Sequence, residues 1–336
     1  MNFKKSSLAL AIIGGAMLGF NQEVNAGVYA ASSLNLSNLQ ITIGGLDPIA
    51  APTAIKSFQF TTTNSATLNG VSSFQTATCG GLPSPGVNNC GGSPVLNALV
   101  ANAPGGTAVL GENTFSLLGP SANQYAVADS VINTAQLVDG VPTSTNQTAQ
   151  SELQVTGTAS SNAEIQSNTG FTLAFTVSGG AGSTFALSFN ADPYLRAAIT
   201  SLGFLNGNAQ ANLNTSFTLT QDLTGNQVRW TPQGTAGNDC SSSIVGVTCS
   251  ETADAIDLNA NSGVSSNGSN DEKFAGAVLG AFGFNASGLS DGDYTLVLNA
   301  NTSTNIRLTT VPEPSIIALL GIGLLGMGFS ATRKEA

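Results

Sequence analysis

Residues 171–177 read FTLAFTV, large apolar side chains alternating with threonine or alanine. A period of two sends one set to each side of an extended strand, and no helix can bury such a pattern on a single face. The alternation recurs at residues 33–36, 39–43, 57–61, 152–156, 185–189, 216–220, 227–230, 294–298 and 305–308, with a short stretch at 113–117. Glycine, asparagine and serine, the residues of tight turns, separate these segments. The expected fold is all-β: an antiparallel β-sandwich with short helices and long loops, in one domain.

The sequence SGGAG at 178–182 predicts a hairpin between 171–177 and 185–189. Residues 194–205, which follow Asp192-Pro193, and 272–282 (EKFAGAVLGAF) predict the short helices. Residues 232–270 are rich in turn formers and are expected to form one long loop. Charged residues make up only 8% of the chain. Surface helices usually carry many Lys and Glu, so this composition favours solvated strand faces instead.

Both ends differ from this body. Lys4 and Lys5 precede a short apolar run, and Val24-Asn25-Ala26 supplies small residues before Gly27. This is the form of a signal peptide, so residues 1–26 are expected to form a signal helix handled by the Sec translocon and cut between Ala26 and Gly27. The run is too short to span a membrane comfortably. Residues 27–311 form the expected exported body.

Four cysteines occur as two close pairs, Cys79 with Cys90 and Cys240 with Cys249. Even count, local spacing and export favour disulfides, and the two local pairings are the simplest of three. Each would close a loop worth on the order of 3 kcal/mol. Zinc is a poor alternative, because the chain has no histidine.

The missing histidine also excludes Ser-His-Asp and Cys-His catalysis. No phosphate loop or dinucleotide fingerprint is present. Glu112, Glu152, Glu164 and Asp129 are acids from which a hydrolytic pair could be drawn, but nothing in their local sequence selects one. A non-enzymatic protein without cofactor is therefore expected. Calcium would have only weak footholds at 257–263, 270–272 and 291–293. The segment 257–263 departs from an EF-hand loop, with Ser262 where Gly is required and Gly268 where the bidentate Glu belongs. With formal net charge −10, and only Lys56, Arg196, Arg229, Lys273 and Arg307 as cations in the body, nucleic acid is not an expected partner.

The C-terminus reads VPEPSIIALLGIGLLGMGFSATRKEA. Pro312-Glu313-Pro314 cannot be helical and leads into the uncharged segment 315–331, roughly 25 Å long as a helix. Arg333 and Lys334 follow as a basic stop that belongs in the cytoplasm. A C-terminal transmembrane helix is expected over 315–331. Triplet, span and stop, in this order behind a signal peptide, resemble the PEP-CTERM sorting domain of Gram-negative bacteria. The resemblance covers residues 312–336 only. It implies recognition by exosortase, a transient hold in the inner membrane, and delivery to the cell surface or the exopolysaccharide layer of biofilm-forming bacteria. For the body two functions are expected: a matrix protein, or a carbohydrate- or ice-binding module suggested by the Thr-rich strand at 61–63.

Overall fold

The computed structural model describes residues 26–44, 55–81, 95–97, 100–120, 124–133, 143–155, 161–178, 182–200, 205–234, 238–276 and 278–310. Residues 1–25 of the signal segment, the whole tail 312–336 and Cys90 lie outside these residues. In chain order the strands are β1 (Ala26–Ile43), β2 (Ile55–Leu68), β3 (Val71–Gly81), β4 (Val95–Asn97), β5 (Ala101–Asn102) and β6 (Tyr125–Asn133). Then come β7 (Thr143–Val155), β8 (Ser161–Val177), β9 (Ser183–Ile199), β10 (Leu205–Gln221), β11 (Gln227–Trp230) and β12 (Cys240–Ser242). The last are β13 (Thr248–Asp254), β14 (Asn261–Val264), β15 (Asn270–Lys273), β16 (Gly280–Leu289) and β17 (Gly292–Thr310).

The strands form two antiparallel sheets. Sheet A has nine strands in the order β13-β16-β9-β1-β7-β6-β4, with β15 also on β9 and β5 on β6. Sheet B has eight in the order β12-β11-β10-β17-β8-β2-β3, with β14 also on β10. At the middle of sheet B, β17 pairs with β10 and β8 without a register shift, so Leu298 lies opposite both Phe217 and Phe171. In sheet A, β1 runs between β7 and β9 and carries a bulge between Leu36 and Leu39, where Asn38 has φ 55°. That bulge falls in the gap between the two alternating segments 33–36 and 39–43.

Among the described residues there is no helix, and several expectations are corrected. Residues 194–199 complete β9, where Leu195, Ala197 and Ile199 point into the core on a period of two. Residues 272–282 are split between β15 and β16, and the break includes Gly276 at φ 78°. The Gly-rich turn at 178–182 is not a hairpin, because β8 lies in sheet B and β9 in sheet A. Residues 113–117 are irregular, while 232–270 hold β12, β13 and β14 in place of one long loop. The second correction has a plain cause: short strands stabilised by a distant partner leave little periodic trace.

The sheets pack face to face over one core. At one side Phe189 stacks on Phe282 with centroids 5.1 Å apart and on Phe217 at 5.3 Å. Trp230 joins the cluster at 4.9 Å from Phe217 and 5.0 Å from Phe284. Such pairs contribute about 0.5–1.5 kcal/mol each beyond their burial. The disulfide Cys240–Cys249 links β12 to β13, and so ties sheet B to sheet A at this edge. Cys79 on β3 is also disulfide-bonded.

Small polar residues interrupt the apolar core midway along its strands. The inward face of β2 reads Phe58, Phe60, Thr62, Asn64, Ala66, Leu68, all buried. Hydrogen bonds cross between the sheets at this level. Thr62 meets Ser130, whose hydroxyl donates to Asn64 Oδ1 at 3.0 Å. The Thr169 hydroxyl donates to Gln147 Oε1 at 3.3 Å, Ser151 and Thr304 share a hydrogen bond of 3.0 Å, and Ser32 donates to the Asn212 carbonyl at 2.7 Å. Thus β6, β7 and β1 of one sheet are stitched to β2, β8, β17 and β10 of the other.

Within this seam Thr302 Oγ1 and Thr215 Oγ1 are buried and have no hydrogen-bond partner among the described residues. Replacing Thr302 by Val should therefore be neutral or stabilising by up to about 1 kcal/mol, since it removes a desolvated hydroxyl. Ser130→Ala should cost about 1–3 kcal/mol, because it takes a partner from both Thr62 and Asn64. Urea unfolding of the two variants checks the contrast.

Candidate functional site

The two outer faces of the sandwich differ in kind. On sheet B the register aligns outward residues in rows that run across the strands. One row holds Thr78, Thr61, Gly170, Asn299 and Ser216. The next passes from Thr76 and Thr63 through position 168 to Asn301 and Asn214. A third runs from Phe74 and Ser65 through position 166 to Ser303 and Asn212. Neighbouring strands stand about 4.8 Å apart, and successive outward residues on one strand about 6.8 Å apart. Thr63 and Thr76 share a hydrogen bond of 3.2 Å, and Asn212 Nδ2 donates to Ser303 Oγ at 3.4 Å.

These three rows contain no ionisable residue. Charges flank these rows: Arg229 on β11 and position 164 on β8 stand in the adjacent rows, Lys56 pairs with Asp293 at 2.5 Å at one end of the strands, and Arg307 lies near the other. The result is an uncharged array made mostly of hydroxyls and carboxamides. Phe74, 61% exposed, is a large apolar side chain at its border on β3.

The outer face of sheet A is covered across β1, β6 and β7, while outward residues of β9 and β16 such as Ser188, Ala281 and Ser287 stay exposed. Residues 100–120 cross β1, β6 and β7 and bury Tyr29, Tyr125, Val127 and Leu110 in a second apolar cluster. Polar side chains of the sheet hold this cover down. Gln150 accepts from Leu118 N at 2.8 Å and donates to the Ser116 carbonyl at 3.1 Å. Tyr125 donates to the Gly119 carbonyl at 3.1 Å, and Asp129 Oδ2 accepts from Thr114 N at 3.0 Å.

Beside the cover a pocket of about 450 Å³ opens between β1, β7, β9 and the start of β15. Tyr29, Glu152, Gln154, Arg196, Thr200 and Asn270 line it. Gln154 Nε2 donates to Glu152 Oε1 at 3.0 Å, and Arg196 Nε donates to Asn270 Oδ1 at 3.0 Å. The Arg196 guanidinium lies 5.7 Å from the centre of the Tyr29 ring. Tyr194 donates to Glu272 at 2.8 Å; burial, reinforced by that carboxylate, pushes its phenol up to about 12. Burial also raises the phenols of Tyr29 and Tyr125.

The acids nominated from sequence do not form one centre. Asp129 anchors the cover loop, Glu112 is exposed on that loop, and Glu152 lies in the pocket. The side chain of Glu164 lies outside the described residues. The weak calcium footholds are occupied by structural bonds: Asp257 Oδ1 accepts from Asn259 N, Asp271 Oδ2 from Gly263 N, and Asp293 from Lys56 and Thr176. A different trio, Asp239, Glu251 and Asp254, brings its oxygens within 4.8 Å of one another and could share a cation. Glu251 accepts from Trp230 Nε1 at 2.7 Å; Asp254 accepts from Gly234 N at 2.9 Å, and burial raises its carboxyl. This trio and the pocket escaped the sequence reading because pairing alone brings their residues together. Pro312, Glu313, Pro314, Arg333 and Lys334 lie outside the described residues. Ala26 and Gly27 open β1.

A family model described as the PEP-CTERM protein-sorting motif matches residues 310–334. The chain thus carries this motif at its C-terminal tail, as the resemblance implied. No curated protein matches the chain. Among solved structures, the T2SS secretin XcpQ from Pseudomonas aeruginosa is 9% identical, with 97% of this chain and 67% of that chain covered, at a TM-score of 0.12. A structure of infectious bursal disease virus, Gx strain, is 10% identical, with 88% and 81% covered, at a TM-score of 0.09. Scores this low carry no likeness of fold.

Burial pushes the Asp129 carboxyl up from 3.8 to about 6, against hydrogen bonds from the backbone of Thr114, Ser130 and Asn113. Between these values the folded state binds the extra proton, so this group's contribution to stability is full below 3.8 and is lost as pH rises towards 6. Asp129→Asn should remove that slope and leave the protein more stable than wild type at pH 7. Unfolding midpoints measured from pH 4 to 7 check it.

Proposed function

We propose that the chain is an exported, non-catalytic protein of the cell surface or extracellular matrix. In this reading exosortase recognises the tail, and the body engages neutral polymer of the exopolysaccharide layer through the outer face of sheet B. The observation that carries the reading is the absence of ionisable residues from three successive rows of that face. A polyanion or polycation would gain nothing there, whereas a neutral polyhydroxylated chain can exchange hydrogen bonds along every row. The PEP-CTERM match supports the export route.

Ice is the second reading, favoured by the hydroxyls of Thr61, Thr63, Thr76 and Thr78 on adjacent strands. Repeating hydroxyls at strand spacing can order water in two directions. An ice-recrystallisation assay separates this from glycan binding.

Charges placed inside the rows test the main reading. Thr63→Glu and Asn301→Asp together should lower retention of the exported protein on its host's neutral polysaccharide at least tenfold without changing its melting temperature. Undiminished retention overturns the glycan reading. Replacing Pro312-Glu313-Pro314 by three alanines should leave the protein in the membrane fraction; unchanged release would remove exosortase from the account.

A further inference from the structure

The pocket on sheet A is a product of strand register. On the outward face Tyr29 of β1 lies between Glu152 of β7 and Ala198 of β9, and Ala198 lies opposite Asn270 of β15. Gly27, one outward step along β1 from Tyr29, lies opposite Gln154. Gly27 and Ala198 carry almost no side chain, so a hollow remains between Gln154 on one side and Asn270 on the other. Its volume of about 450 Å³ falls within the range of small-molecule sites, about 300–1,000 Å³.

Two polar groups of the lining retain unused bonding capacity. Tyr29 is only 2% exposed, yet its hydroxyl has no hydrogen-bond partner among the described residues. Tyr125, its neighbour under the cover, does have one in the Gly119 carbonyl. A hydroxyl so deeply buried is costly unless something else meets it. Arg196 commits Nε to Asn270 and rests its guanidinium near the Tyr29 ring, but it makes no ion pair among the described residues. Glu272, opposite Arg196 in the register, accepts from Tyr194 instead. Donors therefore remain on the terminal nitrogens of Arg196.

We propose that this pocket binds an uncharged pyranose unit, with the Tyr29 hydroxyl and the Arg196 guanidinium as its principal hydrogen-bonding contacts. Each sugar hydroxyl donates one bond and accepts two, so it can take donors from Arg196 and exchange bonds with the phenol. Charge argues against an anionic ligand, because Glu152 and Glu272 both stand beside the single guanidinium. An anion paired with Arg196 would approach both carboxylates, whereas a neutral polyol meets no such repulsion. A purely apolar ligand would leave the Tyr29 hydroxyl as unsatisfied as before. The site lies on the opposite face of the sandwich from the sheet B array and does not rest on the reading of that array. The array would meet a polymer along its length; the pocket admits a single unit, free or at a chain end.

Calorimetric titration of the exported protein with methyl glucopyranoside, methyl galactopyranoside and methyl mannopyranoside provides the test. At least one of these sugars should bind. Tyr29→Phe should weaken that binding roughly fivefold or more and leave the melting temperature unchanged or higher, since the hydroxyl has no partner in the protein. Arg196→Gln should weaken the same sugar by a similar factor. Thr63→Glu with Asn301→Asp should leave the affinity as it is; a loss there moves the site to sheet B and overturns the proposal. No heat with any of the three sugars overturns it too, as does unchanged affinity in Tyr29→Phe. Methyl glucuronide binding more tightly than methyl glucopyranoside sinks the uncharged ligand. If Tyr29→Phe does not fold, Arg196→Gln decides on the same criterion.

Discussion

Hydrogen bonds between hydroxyls and carboxamides, made in the middle of the core, determine how the two sheets sit on each other. Apolar burial presses the sheets together, but it is non-directional and tolerates sliding. The contacts of Ser130 with Thr62 and Asn64, of Ser151 with Thr304, of Thr169 with Gln147 and of Ser32 with the Asn212 carbonyl do not. Each adds about 0.5–1.5 kcal/mol net, little beside the aromatic cluster. Shifting one sheet by a residue would bury all of their polar atoms unpaired, at about 1–3 kcal/mol apiece. The seam therefore contributes specificity more than stability. Because the outer faces are fixed relative to this seam, so are the array on sheet B and the pocket on sheet A.

The architecture was legible where a strand is buried on one side and wet on the other. That is why 171–177, 216–220 and 294–298 could be read directly, as inner apolar and outer polar positions of β8, β10 and β17. It failed in β6, whose residues Tyr125 to Ile132 are buried on both faces beneath the cover loop, so that alternation disappears. It failed again at 194–199, where Tyr194 and Ala198, on the face opposite Leu195, Ala197 and Ile199, break the polar half of the pattern. The seam was invisible for a related reason: a threonine facing inwards looks, in sequence, like one facing out. The array is a register property. Thr63, Asn301 and Asn214 are far apart in the chain, and only the pairing of β2, β8, β17 and β10 sets them in one row.

The sandwich divides its two outer surfaces between different tasks. Sheet A gives the outer face of β1, β6 and β7 to internal structure, with a loop fastened down by Gln150, Asp129 and Tyr125 and a pocket that reaches Gly27 near the start of β1. Sheet B leaves its outer face open across β2, β17 and β10. The first and last described strands follow the same division, since β1 lies in sheet A and β17 in sheet B.

The position of β17 also has a mechanical side. Its last residue, Thr310, is where the match to the sorting motif begins. Tension applied through the C-terminus runs along a strand bonded on both edges, to β8 from Gly292 to Leu308 and to β10 from Tyr294 to Thr310. Force along such a strand loads both ladders in shear, so many bonds must yield together and the strand cannot peel away one pair at a time. A protein held at a surface by this end is gripped by the centre of its sheet.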